Sequence, residues 1–171
     1  MPTSGRRYCL DTSGLSNPLE FMPEDIHPHL WSRISNEITN GTFAVTKEIY
    51  NELVHLSGQI GTCIQTNEAS MVLEIGVGSW NWNHYLSIVS DLRSRYHSVI
   101  SEYNGNRKGT VGLNDVSIVA LAKALGYPVI SMESISFQPS AAKIRIPGLC
   151  GLEGVVHHNF NAFLRNEGIT I

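Results

Sequence analysis

Four acidic residues, Asp11, Glu52, Asp115 and Glu133, fall on four different predicted elements of this chain. A hard divalent cation such as Mg2+ takes carboxylate oxygens as ligands and keeps several of its waters. Phosphodiester hydrolysis can use such an ion to polarise the phosphoryl oxygen, to deprotonate a water and to stabilise the leaving oxygen. A site for that chemistry needs a few acids that are remote in sequence and meet only in the fold. Asp11 at a strand end, Glu52 within a helix, Asp115 at a helix start and Glu133 past a strand end answer that requirement. Spacing alone leaves plainer roles open, because Asp115 reads equally as a helix cap and Glu52 as a solvated helical acid.

The elements that must position these acids are legible in outline. Tyr8-Cys9-Leu10 is a short apolar run that ends on Asp11-Thr12-Ser13-Gly14, a strand running into a loop. Beyond a stretch carrying Pro18, Pro23 and Pro28, Leu30, Trp31, Ile34 and Ile38 recur at helical spacing, and Asn40-Gly41 closes that helix. Thr42 to Val45 is a β-type run. Thr46 is the expected N-cap of a helix with Ile49, Leu53 and Leu56 on one face. Residues 59–80 read ambiguously, and Asn83 to Tyr103 reads as one long amphipathic helix. Asp115 opens a helix over Val116 to Leu125, and Pro128 to Ser131 forms a buried strand. Lys143 to Ile146 is a strand candidate, and Val155 to Asn166 a last helix stopped at Gly168. Alternating strands and helices point to an α/β fold, a single domain built on an open parallel sheet flanked by helices. Ligands in such sheets sit beyond the carboxyl ends of the strands, where Asp11 and Glu133 are placed.

Composition sets the outer limits. Hydrophobic residues make up 42% and charged residues 16% of the 171, as expected of a globular domain able to bury a core. No apolar run approaches the ~20 residues that span a bilayer, and the first residues lack the apolar stretch of a signal peptide, so no membrane role is expected. Cys9, Cys63 and Cys150 are scattered, which argues against a zinc site or disulfide framework and for a reducing cytoplasm. The net charge of -3 gives no global attraction for nucleic acid. Local basic clusters remain: Arg6-Arg7, Arg93 with Arg95, Arg107-Lys108, and Lys143 with Arg145. They can steer a phosphate chain, although each also reads as solvated surface.

Four ordered stretches resemble the motifs of PIN domains. Tyr8-Cys9-Leu10-Asp11-Thr12-Ser13 looks like the opening strand and its Asp-Thr/Ser turn. Val45-Thr46-Lys47-Glu48-Ile49-Tyr50-Asn51-Glu52-Leu53 resembles the second motif, in which a Glu-Leu pair ends a helix. Asn114-Asp115-Val116-Ser117-Ile118-Val119-Ala120-Leu121-Ala122 resembles the third, and Leu125-Gly126-Tyr127-Pro128-Val129-Ile130-Ser131-Met132-Glu133 the fourth. The tail from Lys143 to Ile169 is similar to a PIN-like branch of unknown function. The resemblance implies a PIN-like single domain that cuts RNA with Mg2+ or Mn2+, and a relative of the VapC-type toxins held by a protein antitoxin. A homodimer is also open. It places metal ligands at Asp11 and Asp115, joined by Glu133, and gives Glu52 a ligand or water-holding role. Glu133 departs from the Asp common in the family, and Ser131 from the Thr. Ser13 is expected to steady Asp11 through a hydrogen bond. Residues 57–110 carry little of the family pattern and read as an insert.

Other signals compete. Val72-Leu73-Glu74-Ile75-Gly76-Val77-Gly78 looks like the first motif of adenosylmethionine-dependent methyltransferases, but Trp80 stands in place of the third glycine and too few residues follow for that fold. Gly76 and Gly78 are therefore expected to form a turn beside the insert and to bind no cofactor. His27-Pro28-His29 and His157-His158 lack metal-ligand spacing. Trp80, Trp82 and Tyr85 fit core or antitoxin contact as well as base stacking. A PIN-like scaffold that binds RNA or protein without cutting is the remaining alternative.

Overall fold

The computed structural model describes residues 7–134 and 144–171. Strand β1 (Tyr8–Leu10) is followed by α1 (Ser13–Phe21), α2 (Pro28–Thr39), β2 (Phe43–Ala44) and α3 (Lys47–Leu53). Then come α4 (Gly58–Thr66), α5 (Glu68–Met71), α6 (Trp82–Arg95), a 3-10 turn (His97–Val99), α7 (Ser101–Asn104) and α8 (Leu113–Leu125). Strand β3 (Val129–Ile130), α9 (Ile146–Glu153), β4 (His157–His158) and α10 (Phe160–Asn166) complete the described chain. The strands form one parallel sheet in the order β2-β1-β3-β4. The expected α/β architecture is therefore present, an open parallel sheet with helices packed around it. Parallel strands buried on both faces read as continuous apolar runs. In β1 this gives Tyr8, Cys9 and Leu10, all buried. Tyr8 and Phe43 both meet Phe163 of α10, at ring separations of 5.1 and 5.3 Å.

That strand order makes a topological switch. From β1 the chain steps outward to β2, then returns across β1 to lay β3 on its other side. The crevice between the carboxyl ends of β1 and β3 is where such sheets bind ligands. Helix α8 packs against both β1 and β3, so its N-terminus lies close to that crevice.

Long-range pairing redraws several elements expected from local pattern. The helix beginning near Asn83 ends at Arg95, because Ile100 pairs with Val111 as a parallel bridge and holds an extended backbone. Residues 57–110, read as an insert, are tied into the rest of the domain: Tyr85, Ile88 and Leu92 of α6 belong to the common core and α6 packs on α8. The last helix begins late. His157–His158 pair with β3 as β4, and the helix restarts where the Asn159 side chain accepts the Ala162 N–H at 2.8 Å. The expected strand at 143–146 is absent where it is described: Ile144 and Arg145 are irregular and Ile146 opens α9, with Pro147 in the first turn, where a missing N–H costs nothing. Lys143 lies outside the described residues. The loop expected after Asp11 winds directly into α1, and Gly76 and Gly78 lie in a turn with φ of +81° and +80°. Among the described residues, no helix is long and apolar enough to cross a membrane.

Candidate functional site

Asp11 stands one residue beyond β1, with its N–H donating to the Ile130 carbonyl at 3.0 Å. That bond fixes the end of β1 against the end of β3. Asp11 Oδ2 accepts from the Ser13 hydroxyl at 2.5 Å and from the Ser13 N–H at 3.1 Å, so the expected Ser13–Asp11 bond is present. The Ser13 oxygen also accepts the Met132 N–H at 3.0 Å, which ties the segment leading to Glu133 onto the first turn of α1. Close approach there depends on Gly14. A Cβ at this position would lie 2.9 Å from a Leu10 methyl and 3.0 Å from the Ile130 carbonyl oxygen.

Glu52, near the end of α3, spans the crevice. Its Oε1 accepts from Thr12 Oγ1 at 2.8 Å, and its Oε2 faces Asn114 Nδ2 at 3.5 Å. One carboxylate thus touches the chain neighbours of both Asp11 and Asp115. The two helices that carry Glu52 and Asp115 are fastened by a buried contact between Thr46 Oγ1 and Ser117 Oγ at 3.0 Å. Ser117 also donates to the Asn114 carbonyl at 2.7 Å. Asp115 is the third residue of α8, not its N-cap, and its Oδ2 accepts the Gly112 N–H at 2.8 Å. Glu133 Oε2 accepts the Ile146 N–H at 2.8 Å and so caps the start of α9. Ser131, the other expected supporting residue, is fully buried. Its hydroxyl pairs with His157 Nε2 at 2.7 Å, which links β3 to β4 instead of reaching the acids.

The four carboxylates share one electrostatic environment. Burial pushes Asp11 up to about 6, with the Ser13 hydrogen bonds opposing and the charges of Glu133 and Glu52 adding to the rise. Burial pushes Asp115 up to about 7; the Gly112 N–H opposes this, and Asp11, Glu133 and Glu52 add to it. Cys150 of α9 sits in the same field, its thiol pushed up to about 12 by burial and by Glu133 and Asp11. Like charges brought together in a low-dielectric crevice disfavour ionisation in this way, and a bound cation reverses the balance.

The donor set is all oxygen, which suits Mg2+ or Mn2+ and not a soft ion. Oδ1 of Asp11, Oδ1 of Asp115 and Oε1 of Glu133 have no hydrogen-bond donor among the described residues. Among the described residues, no three His, Cys, Asp or Glu side chains stand close enough to form a ready-made cage. A hydrated Mg2+ needs none, because it is held by one or two carboxylates together with waters and substrate phosphates. The residues present fit that mode of binding.

Thr12, Asn114, the Thr46–Ser117 pair and His157 were not singled out from sequence as site residues. All but His157 lie within the quoted motifs, and their polar side chains beside the acids are the signal that marks them. No curated protein matches this sequence. A family model described as a domain of unknown function, DUF4411, matches residues 8–171, which takes in every element from β1 to α10. This chain belongs to the DUF4411 family.

Proposed function

We propose that this protein is a divalent-metal-dependent endoribonuclease acting at the crevice between β1 and β3. The observation that carries the reading is that Glu52 contacts Thr12 and Asn114, the chain neighbours of Asp11 and Asp115, while Asp11 and Asp115 each feel the charges of Glu52 and Glu133. Asp11, Asp115 and Glu133 are the carboxylates that would hold Mg2+ or Mn2+, one or two of them directly and the rest through its waters. The bound ion supplies Lewis-acid polarisation of the scissile phosphate and a more acidic water. Glu52, anchored by Thr12 and facing Asn114, is placed to orient an attacking water by accepting its proton. Ser13 locks the rotamer of Asp11, so the carboxylate needs little reorganisation on binding.

The assignment as the toxin of a toxin–antitoxin pair, and with it a protein antitoxin as partner, rests on the resemblance to PIN-domain toxins. It predicts that induced expression arrests growth and that an Asp11→Asn variant does not. The nuclease reading is tested with purified wild type and Asp115→Asn on single-stranded RNA, with Mg2+, with Mn2+ and with chelator. Cleavage by wild type alone, abolished by chelation, is expected. Equal cleavage by both proteins, or cleavage that survives chelation, overturns the reading. The bonds from Gly112 N–H to Asp115 and from Ile146 N–H to Glu133 favour a second reading, in which these acids serve only as helix caps on a binding scaffold. On that reading neither protein cuts, and Mg2+ leaves the melting temperature unchanged.

A further inference from the structure

The chain between α6 and α8 forms a closed loop. Its ends are joined where Ile100 and Val111 pair, the Ser101 N–H reaching the Val111 carbonyl at 2.8 Å and the Val111 N–H the Val99 carbonyl at 3.1 Å. Inside, the Asn104 side chain accepts the Arg107 N–H at 3.0 Å and Thr110 Oγ1 donates to the Arg107 carbonyl at 2.6 Å, so the tip is held in shape. Compact surface loops with joined ends are common carriers of binding function. This one leads straight into the acidic crevice: the Glu102 carboxylate caps Leu113 N–H, the first residue of α8, two residues before Asp115.

The loop and its flanks carry cations and aromatics that the rest of the molecule does not use. Arg95 is held by Asp91 and Glu153, and Lys123 by Glu153. Arg93, Arg107 and Lys108, by contrast, are exposed and form no ion pair among the described residues. The Arg93 guanidinium lies 6.0 Å from the Tyr103 ring centre and its Nε donates to the Tyr103 hydroxyl at 3.0 Å. The ring of His97 stacks on Tyr103, with centroids 4.5 Å apart and planes 9° from parallel, and both residues are exposed. Two stacked rings with the Arg93 guanidinium beside them, on a loop whose exposed tip carries Arg107 and Lys108, match the needs of an unpaired nucleotide strand, which offers flat bases and regularly spaced phosphates.

We infer that this loop is the substrate platform, on which single-stranded RNA stacks a base against His97 and Tyr103 and sets its phosphates against Arg93, Arg107 and Lys108 on its way to the acidic crevice. The inference rests on the nuclease reading for the identity of its ligand, and it names residues outside the resemblance to PIN domains. It also accounts for substrate capture by a chain with net charge -3, since the needed positive charge is local.

The test separates binding from cleavage. In an Asp115→Asn background, which removes cutting, binding of a fluorescein-labelled single-stranded RNA of about a dozen nucleotides is followed by anisotropy across a salt series. Arg107→Ala with Lys108→Ala, and the triple variant adding Arg93→Ala, should weaken binding at least about tenfold, and the triple variant should lower the salt slope by about 2. Tyr103→Ala should weaken binding about 5- to 100-fold. Arg33→Ala with Arg165→Ala, on α2 and α10, should bind as the background does. Arg107 and Lys108 are exposed, so their variants stay folded, which a thermal scan checks. Unchanged affinity and slope in the loop variants, or an equal loss in the α2/α10 control, overturns the platform. If wild type cuts RNA while its loop variants bind and cut equally well, the platform falls and the nuclease reading stands. If RNA binds through the loop but is never cut, the nuclease reading falls and the platform stands.

Discussion

Two carboxyls with raised affinity for protons contribute to how the stability of this protein responds to pH. For Asp11 and Asp115 the folded state favours the neutral form, with values of about 6 and about 7 against an ordinary value near 3.8. Stability from this source is fully present below the ordinary value and is lost as pH rises through 6 to 7. Metal-free protein should therefore melt at higher temperature near pH 5 than near pH 8, the pair accounting for a loss on the order of 4 kcal/mol. Added Mg2+ should restore the loss near pH 8 and do little near pH 5, because binding requires ionised ligands. Asp115→Asn should flatten both dependences in a melting series. A wild-type melting temperature that rises with pH across this range would contradict the account.

At the scale of elements, two contacts set how the site is assembled. Gly14 lets the first turn of α1 lie against Leu10 and Ile130, which holds Asp11 and the β3 end together. Gly14→Ala must displace the Ile130 carbonyl by a few tenths of an ångström, at a cost of about 1–3 kcal/mol. Activity should fall further than stability does, because the displaced carbonyl accepts the Asp11 N–H. Denaturant titration beside an RNA-cleavage assay checks both. The second contact is Glu153 at the end of α9, whose carboxylate is only 3% exposed. Arg95, Lys123 and Tyr96 all donate to it, Lys123 at 2.6 Å and Tyr96 at 2.5 Å, and so tie α9 to α8 and α6. Arg95 foremost holds its pKa down to about 2, against an opposing push from burial. That contribution is present above the ordinary carboxylate value and lost as pH falls toward 2. Glu153→Gln should cost about 1–3 kcal/mol at neutral pH, and the difference from wild type should shrink in acid. An unchanged unfolding midpoint would show that the network is idle.

At the scale of the molecule, the sheet order decides where chemistry can occur. With β1 between β2 and β3 and the chain reversing around it, the carboxyl ends of β1 and β3 lie side by side at the switch point, and α8 packs against both. The segment 57–110 is part of this frame. Tyr85, Ile88 and Leu92 of α6 lie in the common core, at 5%, 9% and 0% exposure. Its excision would bare the α8 surface that α6 covers, so a chain joined across residues 57–110 should fail to fold cooperatively. Circular dichroism and gel filtration of that deletion decide the matter, and a monodisperse, cooperatively melting product would refute it.

The sequence by itself determined the elements whose signals are local. The apolar triplet Tyr8–Leu10, the Thr46 cap and the amphipathic run of α2 each form where periodicity and capping chemistry require. The α/β class followed from their alternation; Asp11, Asp115 and Glu133 stood out because they ended or opened such elements, and Glu52 because it lay within one. Tertiary structure alone decided the rest. The carbonyls of Val156 and His158 accept the N–H groups of Val129 and Ser131, and the backbone bonds so formed turned an expected helix start into β4. Pairing of Ile100 with Val111 likewise ended a helix that its own residues would have continued. At the site, spacing could not show that Glu52 reaches both Thr12 and Asn114, or that Ser131 turns away to His157. Local propensities are worth tenths of a kcal/mol per residue, and they yield wherever buried backbone groups must find partners from distant parts of the chain.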